Sequence, residues 1–382
     1  MNTQKCCSRR EFLKTATAVG AALTVSPALD KVQAATSLAT GEKMKEAEKV
    51  QAARMTTHRI LGTGEAAFEV STLGFGVMGM TYNRSYHPDK QQCIRLLHEA
   101  MDRGVTLFDT AIIYGPLNNE ELAGEALGSF HGKVNVTTKF GHEVIEGKAT
   151  GRQDSRPATI RRYCEESLKR LRTDVIPLFY QHRFDPNTPI EEVAGTIQDL
   201  MKEGKVLHWG MCEVSADTIR KAHAVCPLTA VQDRYSMMAR WHEALFPVLE
   251  ELGIGLVAFS PLANGLLSDR YNAASHFDAG TDYRAGMPQF QPDSYDKNRE
   301  LLQLIRHIAS EKNATPAQIS LAWMLCKKPW IVPIPGTRKP DRLQENARAV
   351  DIALSEEEVK QIDQALDGMP MSGVFGGTKL TA

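Results

Sequence analysis

The sequence predicts an α/β protein, a closed (β/α)8 TIM barrel in a single domain, with an N-terminal β-hairpin ahead of the first barrel strand. Short apolar, β-compatible runs alternate with segments of helical character eight times, with no second block of different pattern. The G-x-G-x-x-G at 74–79 begins inside the strand expected over 72–76 and does not follow it into a helix, which argues against an open dinucleotide-binding sheet. Polar side chains suited to one chemistry recur at strand ends, at Asp109, Lys139 and His182. In a closed barrel that end is the face that carries chemistry.

The elements follow in order. Segments 58–61 and 67–70 flank Gly62-Thr63-Gly64 and read as the hairpin. A strand is expected over 72–76, then a helix over 91–103 with Ile94, Leu97, Ala100 and Met101 on one face. The stretch GVTLFDTAIIYG, 104–115, reads as a glycine turn, a strand over 105–108 and a loop carrying Tyr114. A helix over 119–127 comes next, then a β-branched strand over 134–138 ending in Lys139. A helix over 159–171 leads to a strand over 175–180 ending in Gln181-His182-Arg183. Further pairs are a helix over 190–203 with a strand over 206–211, and a helix over 216–224 with a strand over 229–232. A helix over 242–252 precedes a strand over 254–259, which runs into Ser260-Pro261-Leu262 and a long loop. Helices over 294–311 and 316–326, a last strand over 330–333 and a helix opening at 342–346 complete the barrel.

Composition fits a soluble globular chain: 382 residues, net charge −1, 24 % charged and 42 % hydrophobic. No charge excess points to nucleic acid. Seven cysteines, none in a C-x-x-C pair, imply isolated thiols rather than a disulfide scaffold. At the N-terminus, Ser8-Arg9-Arg10-Glu11-Phe12-Leu13-Lys14 resembles the twin-arginine (Tat) export motif. The uncharged run 15–29 is short and mild beside the ~20 strongly apolar residues a membrane span needs. Val32-Gln33-Ala34 suits a signal peptidase, so residues 1–34 read as a Tat signal peptide cleaved after Ala34. A linker over 35–57, the barrel over 58–370 and a C-terminal tail over 371–382 follow. The expected location is periplasmic or otherwise extracytoplasmic, or cytoplasmic if the signal is unused. The expected partners are the export machinery and a small carbonyl compound, with no stable membrane anchor after cleavage.

Asp109, Tyr114, Lys139 and His182 come from neighbouring strand ends, so their side chains can converge. A phenol with a pKa near ~10 gives up its proton poorly at neutral pH. A nearby ammonium stabilises the phenolate, a carboxylate holds the ammonium, and an imidazole beside a carbonyl oxygen orients it. Singly, each has a plainer reading: Asp109 a turn former, Tyr114 a core aromatic, Lys139 a rim charge, His182 a structural hydrogen-bonding residue.

From about His58 to Gln364 the chain resembles the aldo-keto reductase family. The resemblance rests on GVTLFDTAIIYG, GPLNNEELAGEAL, Thr138-Lys139, Gln181-His182-Arg183, FSPLANGLL at 259–267 and IPGTRKPDRLQEN at 334–346. It implies Tyr114 as general acid, Lys139 and Asp109 tuning it, and His182 orienting the carbonyl. It also implies NADP(H) lying extended across the barrel mouth. Phe259 then matches the ring that stacks on nicotinamide, and Gln232 the residue that holds the carboxamide. Ser260, Leu262 and Gly265 match the loop under the pyrophosphate. Gly336, Thr337, Arg338 and Arg342 match the 2′-phosphate site, and Glu345 and Asn346 match adenine contacts. The sequence departs from the family at Gly210-Met211-Cys212-Glu213, where Cys212 replaces a serine that helps grip the carboxamide; a thiol is the poorer donor.

The implied activity is NADPH-dependent reduction of an aldehyde, ketone or sugar. The alternative is a non-catalytic NADPH-binding regulatory barrel. A metal-dependent barrel hydrolase is disfavoured by the lack of H-x-H and H-E-x-x-H motifs. Substrate choice would lie in the loops 82–87, 140–156 and 270–293. Trp241, Tyr271, His276, Phe277, Tyr283 and Phe290 either line the pocket or pack those loops.

Overall fold

The first chain turn in the computed structural model, which describes residues 55–375, is an antiparallel hairpin of β1 (His58–Leu61) and β2 (Phe68–Ser71). The export motif, the cleavage site after Ala34, the linker up to residue 54 and the tail from 376 onward lie outside the described residues. Next come β3 (Phe75–Gly76), β4 (Leu107–Asp109) and β5 (Asn135–Phe140), then a second hairpin of β6 (His142–Ile145) and β7 (Lys148–Gln153). β8 (Ile176–Gln181), β9 (Val206–Cys212), β10 (Ala230–Arg234), β11 (Gly255–Phe259) and β12 (Ile331–Pro333) complete the set.

Eight of these strands pair in parallel, in the order β3-β4-β5-β8-β9-β10-β11-β12. The Gly74 N–H donates to the Pro333 carbonyl at 2.9 Å and joins the two outer strands. Closure leaves little room at this seam: a Cβ on Gly336 would stand 2.6 Å from the Gly76 carbonyl oxygen.

Two-residue alternation along each strand decides what fills the barrel. Leu107, Leu178, Tyr180, Ala230, Val257 and Val332 point inward and pack on one another. Leu61, Phe68 and Val70 of the hairpin join them and plug the N-terminal end. Arg59 fixes the plug by donating to the carbonyls of Leu325, Lys328 and Ile331. The outward set, including Phe108, Phe179, Trp209, Val231 and Ala258, packs under the helices. Those helices are Lys90–Asp102, Asn118–Leu127, Pro157–Leu171, Ile190–Lys202, Ala216–Val225, Phe246–Leu252, Pro316–Lys327 and Pro340–Ala347.

Several expected elements differ in extent. The 72–76 strand shrinks to Phe75–Gly76, because Thr72 N–H is committed to the Thr57 carbonyl and Ser71 Oγ to the Leu73 carbonyl. The 242–252 helix opens as a 3-10 turn, Trp241–Leu245, and becomes α only at Phe246, where Pro247 occupies the first helical turn. The 294–311 helix breaks at Asn298, whose side chain binds both the N–H and the hydroxyl of Ser372. The β6–β7 hairpin stands where only a loop was expected, and Glu146 and Gly147 at its tip both take positive φ, as a tight hairpin turn requires. A helix over Glu356–Gly368, beyond the last one expected, starts at a Ser355/Glu358 capping box.

Candidate active site

Asp109 closes β4 on the inward face, so its carboxylate lies buried at the mouth. Lys139, on the inward face of β5, is completely buried and forms an ion pair with it. Lys139 Nζ also donates to the Thr110 carbonyl at 2.8 Å. The other Asp109 oxygen accepts from Gln232 Nε2 at 2.9 Å and Thr137 Oγ1 at 3.0 Å. A buried carboxylate held by an ammonium and two neutral donors is fixed in position.

Tyr114 sits above this pair in the tight turn after β4. Gly115 takes φ +87°, and a Cβ there would collide with Asn118 Oδ1 at 1.8 Å. Asn119 ties the turn down by accepting from Thr110 Oγ1 and donating to the Val77 carbonyl and Thr81 Oγ1. Lys139 Nζ lies 5.2 Å from the Tyr114 ring centroid. The ammonium acts on the phenol in the expected sense, but burial outweighs it, and the pKa is pushed up to about 12. Lys139 is drawn down by burial and up by Asp109, Tyr114 and Cys212, and ends above the ordinary value, so it stays charged.

His182 follows β8 and places its ring 5.7 Å from that of Tyr114, edge-on. Burial, then Arg183, Lys139 and His142, hold it well below the usual imidazole pKa, so it is neutral. His142 from β6 stands 4.7 Å away, ring to ring, and is itself lowered to about 4, first by burial.

A cavity of about 500 Å³ opens above these groups. Its wall includes Asp109, Tyr114, His182, Cys212, Gln232, Phe259, Ser260, Leu262 and Gly265, and extends to Gly336, Thr337, Arg338, Arg342, Glu345 and Asn346. Lys139 lies beneath the wall. Glu213 is not part of it: its carboxylate pairs with Arg183 at 2.9 Å and its N–H donates to Asp233. Glu345 is bound by Arg270 at 2.9 Å and Arg342 at 3.5 Å. Burial raises the Cys212 thiol pKa, so it stays protonated. Among the loop aromatics, Tyr271 and Tyr283 reach the cavity, whereas Phe277 and Phe290 pack against Tyr271. The five cysteines among the described residues are unpaired.

Residues 72–367 match the model of the aldo/keto reductase family. This chain belongs to the aldo-keto reductase family. It is 40 % identical over 316 residues to a protein of Glycine max named probable aldo-keto reductase 1, covering 82 % of this chain and 90 % of that one. Among solved structures it resembles the glycerol dehydrogenase of Gluconobacter oxydans, with TM-score 0.73, 29 % identity, and coverage of 81 % of this chain and 94 % of that one. It also resembles an aldo-keto reductase of Bacillus halodurans in its holo form, with TM-score 0.68, 26 % identity, and coverage of 84 % and 98 %. Aldo-keto reductases use nicotinamide cofactors to reduce carbonyl groups.

The mouth of this aldo-keto reductase fits such a nucleotide. Arg338 Nη1 and Arg342 Nε are buried with no hydrogen-bond partner among the described residues, which suits a phosphate that remains to be bound. The strap 260–269 holds Ser260, Ala263, Asn264 and Asp269 at positive φ, beside Gly265 at +109°. Non-glycine residues in that region mark strain, which clusters where backbone must clasp a ligand. Arg84, His142 and Arg234 line the wall with no motif that singles them out in the sequence. Arg234 lies two residues past Gln232 on the same strand, so the alternation that turns Gln232 inward is the one signal for it.

Proposed function

We propose that this protein is an NADPH-dependent reductase of aldehydes, ketones or sugars, with Tyr114 as the general acid. The observation that carries the reading is the stack of Tyr114 over a Lys139 locked to Asp109, with neutral His182 across from it on the same cavity wall. When bound, NADPH supplies the hydride that adds to the carbonyl carbon. The Tyr114 hydroxyl gives its proton to the carbonyl oxygen, and Lys139 stabilises the phenolate left behind. His182, being neutral, acts as a hydrogen-bonding group that orients the substrate. Phe259 offers the face for nicotinamide, Gln232 and Cys212 lie where the carboxamide would bind, and residues 260–265 would clasp the pyrophosphate. Arg338 and Arg342 would hold the 2′-phosphate. The complete tetrad, with a buried lysine kept charged, favours an enzyme over a regulatory reader of the nucleotide. Stopped-flow mixing of the NADPH-loaded protein with a panel of aldehydes, ketones and sugars tests this. Oxidation of bound NADPH by at least one class supports the reading; bound NADPH that no member oxidises returns the protein to the regulatory alternative. The twin-arginine motif further supports export of the folded barrel with nucleotide already loaded.

A further inference from the structure

The cations of the cavity wall divide into those with a carboxylate partner and those without. Arg183 pairs with Glu213 and Arg284 with Asp282, while Arg270 and Arg342 share Glu345. Arg84, Arg234, Arg338 and the exposed Lys339 form no ion pair among the described residues. Arg84 reaches Asn264 Oδ1 on the strap at 3.5 Å, and Arg338 stands in the 334–346 segment. Arg84 and Arg338 lie where the proposed nucleotide carries its phosphates.

Arg234 is different. It ends β10 in direct register with Phe259, and its guanidinium carbon lies 4.8 Å from the Phe259 ring centroid and 5.5 Å from that of Phe375. Only 6 % of its surface is exposed, its side chain makes no hydrogen bond among the described residues, and its Nε is a buried donor without an acceptor. The acid it senses most, Glu213, is already bound to Arg183. An arginine stays charged even where burial lowers its pKa, and a charge buried without a partner is strongly unfavourable unless something else supplies one. The nucleotide does not supply it, because its nicotinamide end, the part that Phe259 faces, carries no anion.

We propose that Arg234 anchors an anionic group of the substrate, so that the carbonyl compound reduced in this cavity is an oxo acid or a phosphorylated aldehyde or ketone. The inference rests on the reductase reading above and sharpens it. Its own burial, with the Phe259 ring against it, strengthens the pull of the guanidinium on a carboxylate or phosphate. A neutral carbonyl compound of the same size leaves that guanidinium unpaired.

The test compares matched substrates with saturating NADPH: 4-formylbenzoate against its methyl ester, and glyceraldehyde 3-phosphate against glyceraldehyde. The wild type is expected to favour the anionic member of at least one pair by about tenfold or more in kcat/KM, expressed mainly in KM. The pair that shows the preference distinguishes carboxylate from phosphate. Arg234→Gln should bring the ratio close to one, and Arg234→Lys should restore part of it. Neutral members reduced as well as anionic ones by the wild type overturn this inference and leave the reductase reading standing; this comparison needs no variant to fold. A preference that survives Arg234→Gln overturns the anchor, as does an Arg234→Gln protein that loses NADPH affinity in fluorescence titration by the same factor. No reduction of any member, together with inert NADPH across the wider panel, removes the reductase reading itself.

Discussion

Tyr114 keeps its proton through the neutral range because burial holds its pKa near 12. Single-turnover reduction is therefore expected to be flat across neutral pH and to fall only in strongly alkaline buffer; a fall centred near neutrality assigns the proton to another group. Tyr114→Phe should keep nucleotide binding, read by NADPH fluorescence, and lose most turnover. Lys139→Met should also lose turnover, and it leaves Asp109 charged and buried without its cation. Breaking a buried pair in this way costs about 3–5 kcal/mol, measurable by chemical denaturation and eased by adding Asp109→Asn. A second buried carboxylate behaves differently. Burial pushes Asp233 up from 3.8 to about 7, beside His242, which burial lowers to about 4. The folded state therefore binds the Asp233 proton more tightly than the unfolded chain does, and the stability this confers is lost as pH rises from the unfolded value towards 7. His242 works in reverse, costing stability as pH falls from 6.5 towards 4. Asp233→Asn should thus gain on the wild type as pH is raised through that window, and a difference independent of pH contradicts the assignment. Asp109, Lys139 and His182 could be located in the sequence because each lies at or beside the carboxyl end of a strand. Arg234 was not: an unpaired buried charge is a property of the surroundings, which no local pattern encodes.

At the scale of elements, the hairpin plug and the seam are the parts whose loss would be felt most. Leu61 is wholly buried at the barrel floor, and a Cβ on Gly255 would stand 2.4 Å from its side chain. Leu61→Ala should cost about 2–5 kcal/mol in denaturation. Gly336→Ala sets a methyl against the Gly76 carbonyl, a backbone atom that cannot swing aside. It should cost about 1–3 kcal/mol and weaken NADPH binding, since the loop it displaces carries Arg338. The first hairpin was readable from its glycines. The second was not, because nearly all of β7 is exposed and shows no apolar alternation. The break at Asn298 was hidden for another reason: its cause is Ser372, 74 residues away. The helix at 356 did carry local signals, the capping box and the Val359, Ile362 and Leu366 stripe that it buries.

For the molecule as a whole, alternation over eight units was enough to indicate the barrel, whereas the Gly74–Pro333 closure depends on both ends of the chain and is invisible locally. The same long reach brings residues 334–346 beside the β3 end, where the proposed phosphate site lies. Replacing Arg338 and Arg342 together by Gln should weaken NADPH by several kcal/mol, at about 1.5–3 kcal/mol for each charge-assisted contact, and leave NADH nearly unchanged. Equal affinity of the wild type for the two nucleotides contradicts that placement. The N-terminal motif makes a claim about location. Fractionation of cells making the native chain and an Arg9→Lys, Arg10→Lys variant should find the native protein outside the cytoplasmic membrane, shortened near Ala34, and the variant retained. Native chain held wholly inside at full length contradicts export.

The packed barrel interior, with Leu61, Phe68 and Val70 at its base, also bears on traffic. It gives the cavity a solid floor, so ligands come and go at the C-terminal mouth. Whatever sits deepest must enter first and leave last. On the proposed placement of nicotinamide against Phe259 on the cavity wall, the nucleotide should precede the carbonyl compound and the alcohol should depart before the oxidised nucleotide. The slow step expected on that order is release of the nucleotide from the strap 260–269. Product-inhibition kinetics should show the oxidised nucleotide competing with NADPH alone, while the alcohol competes with neither reactant.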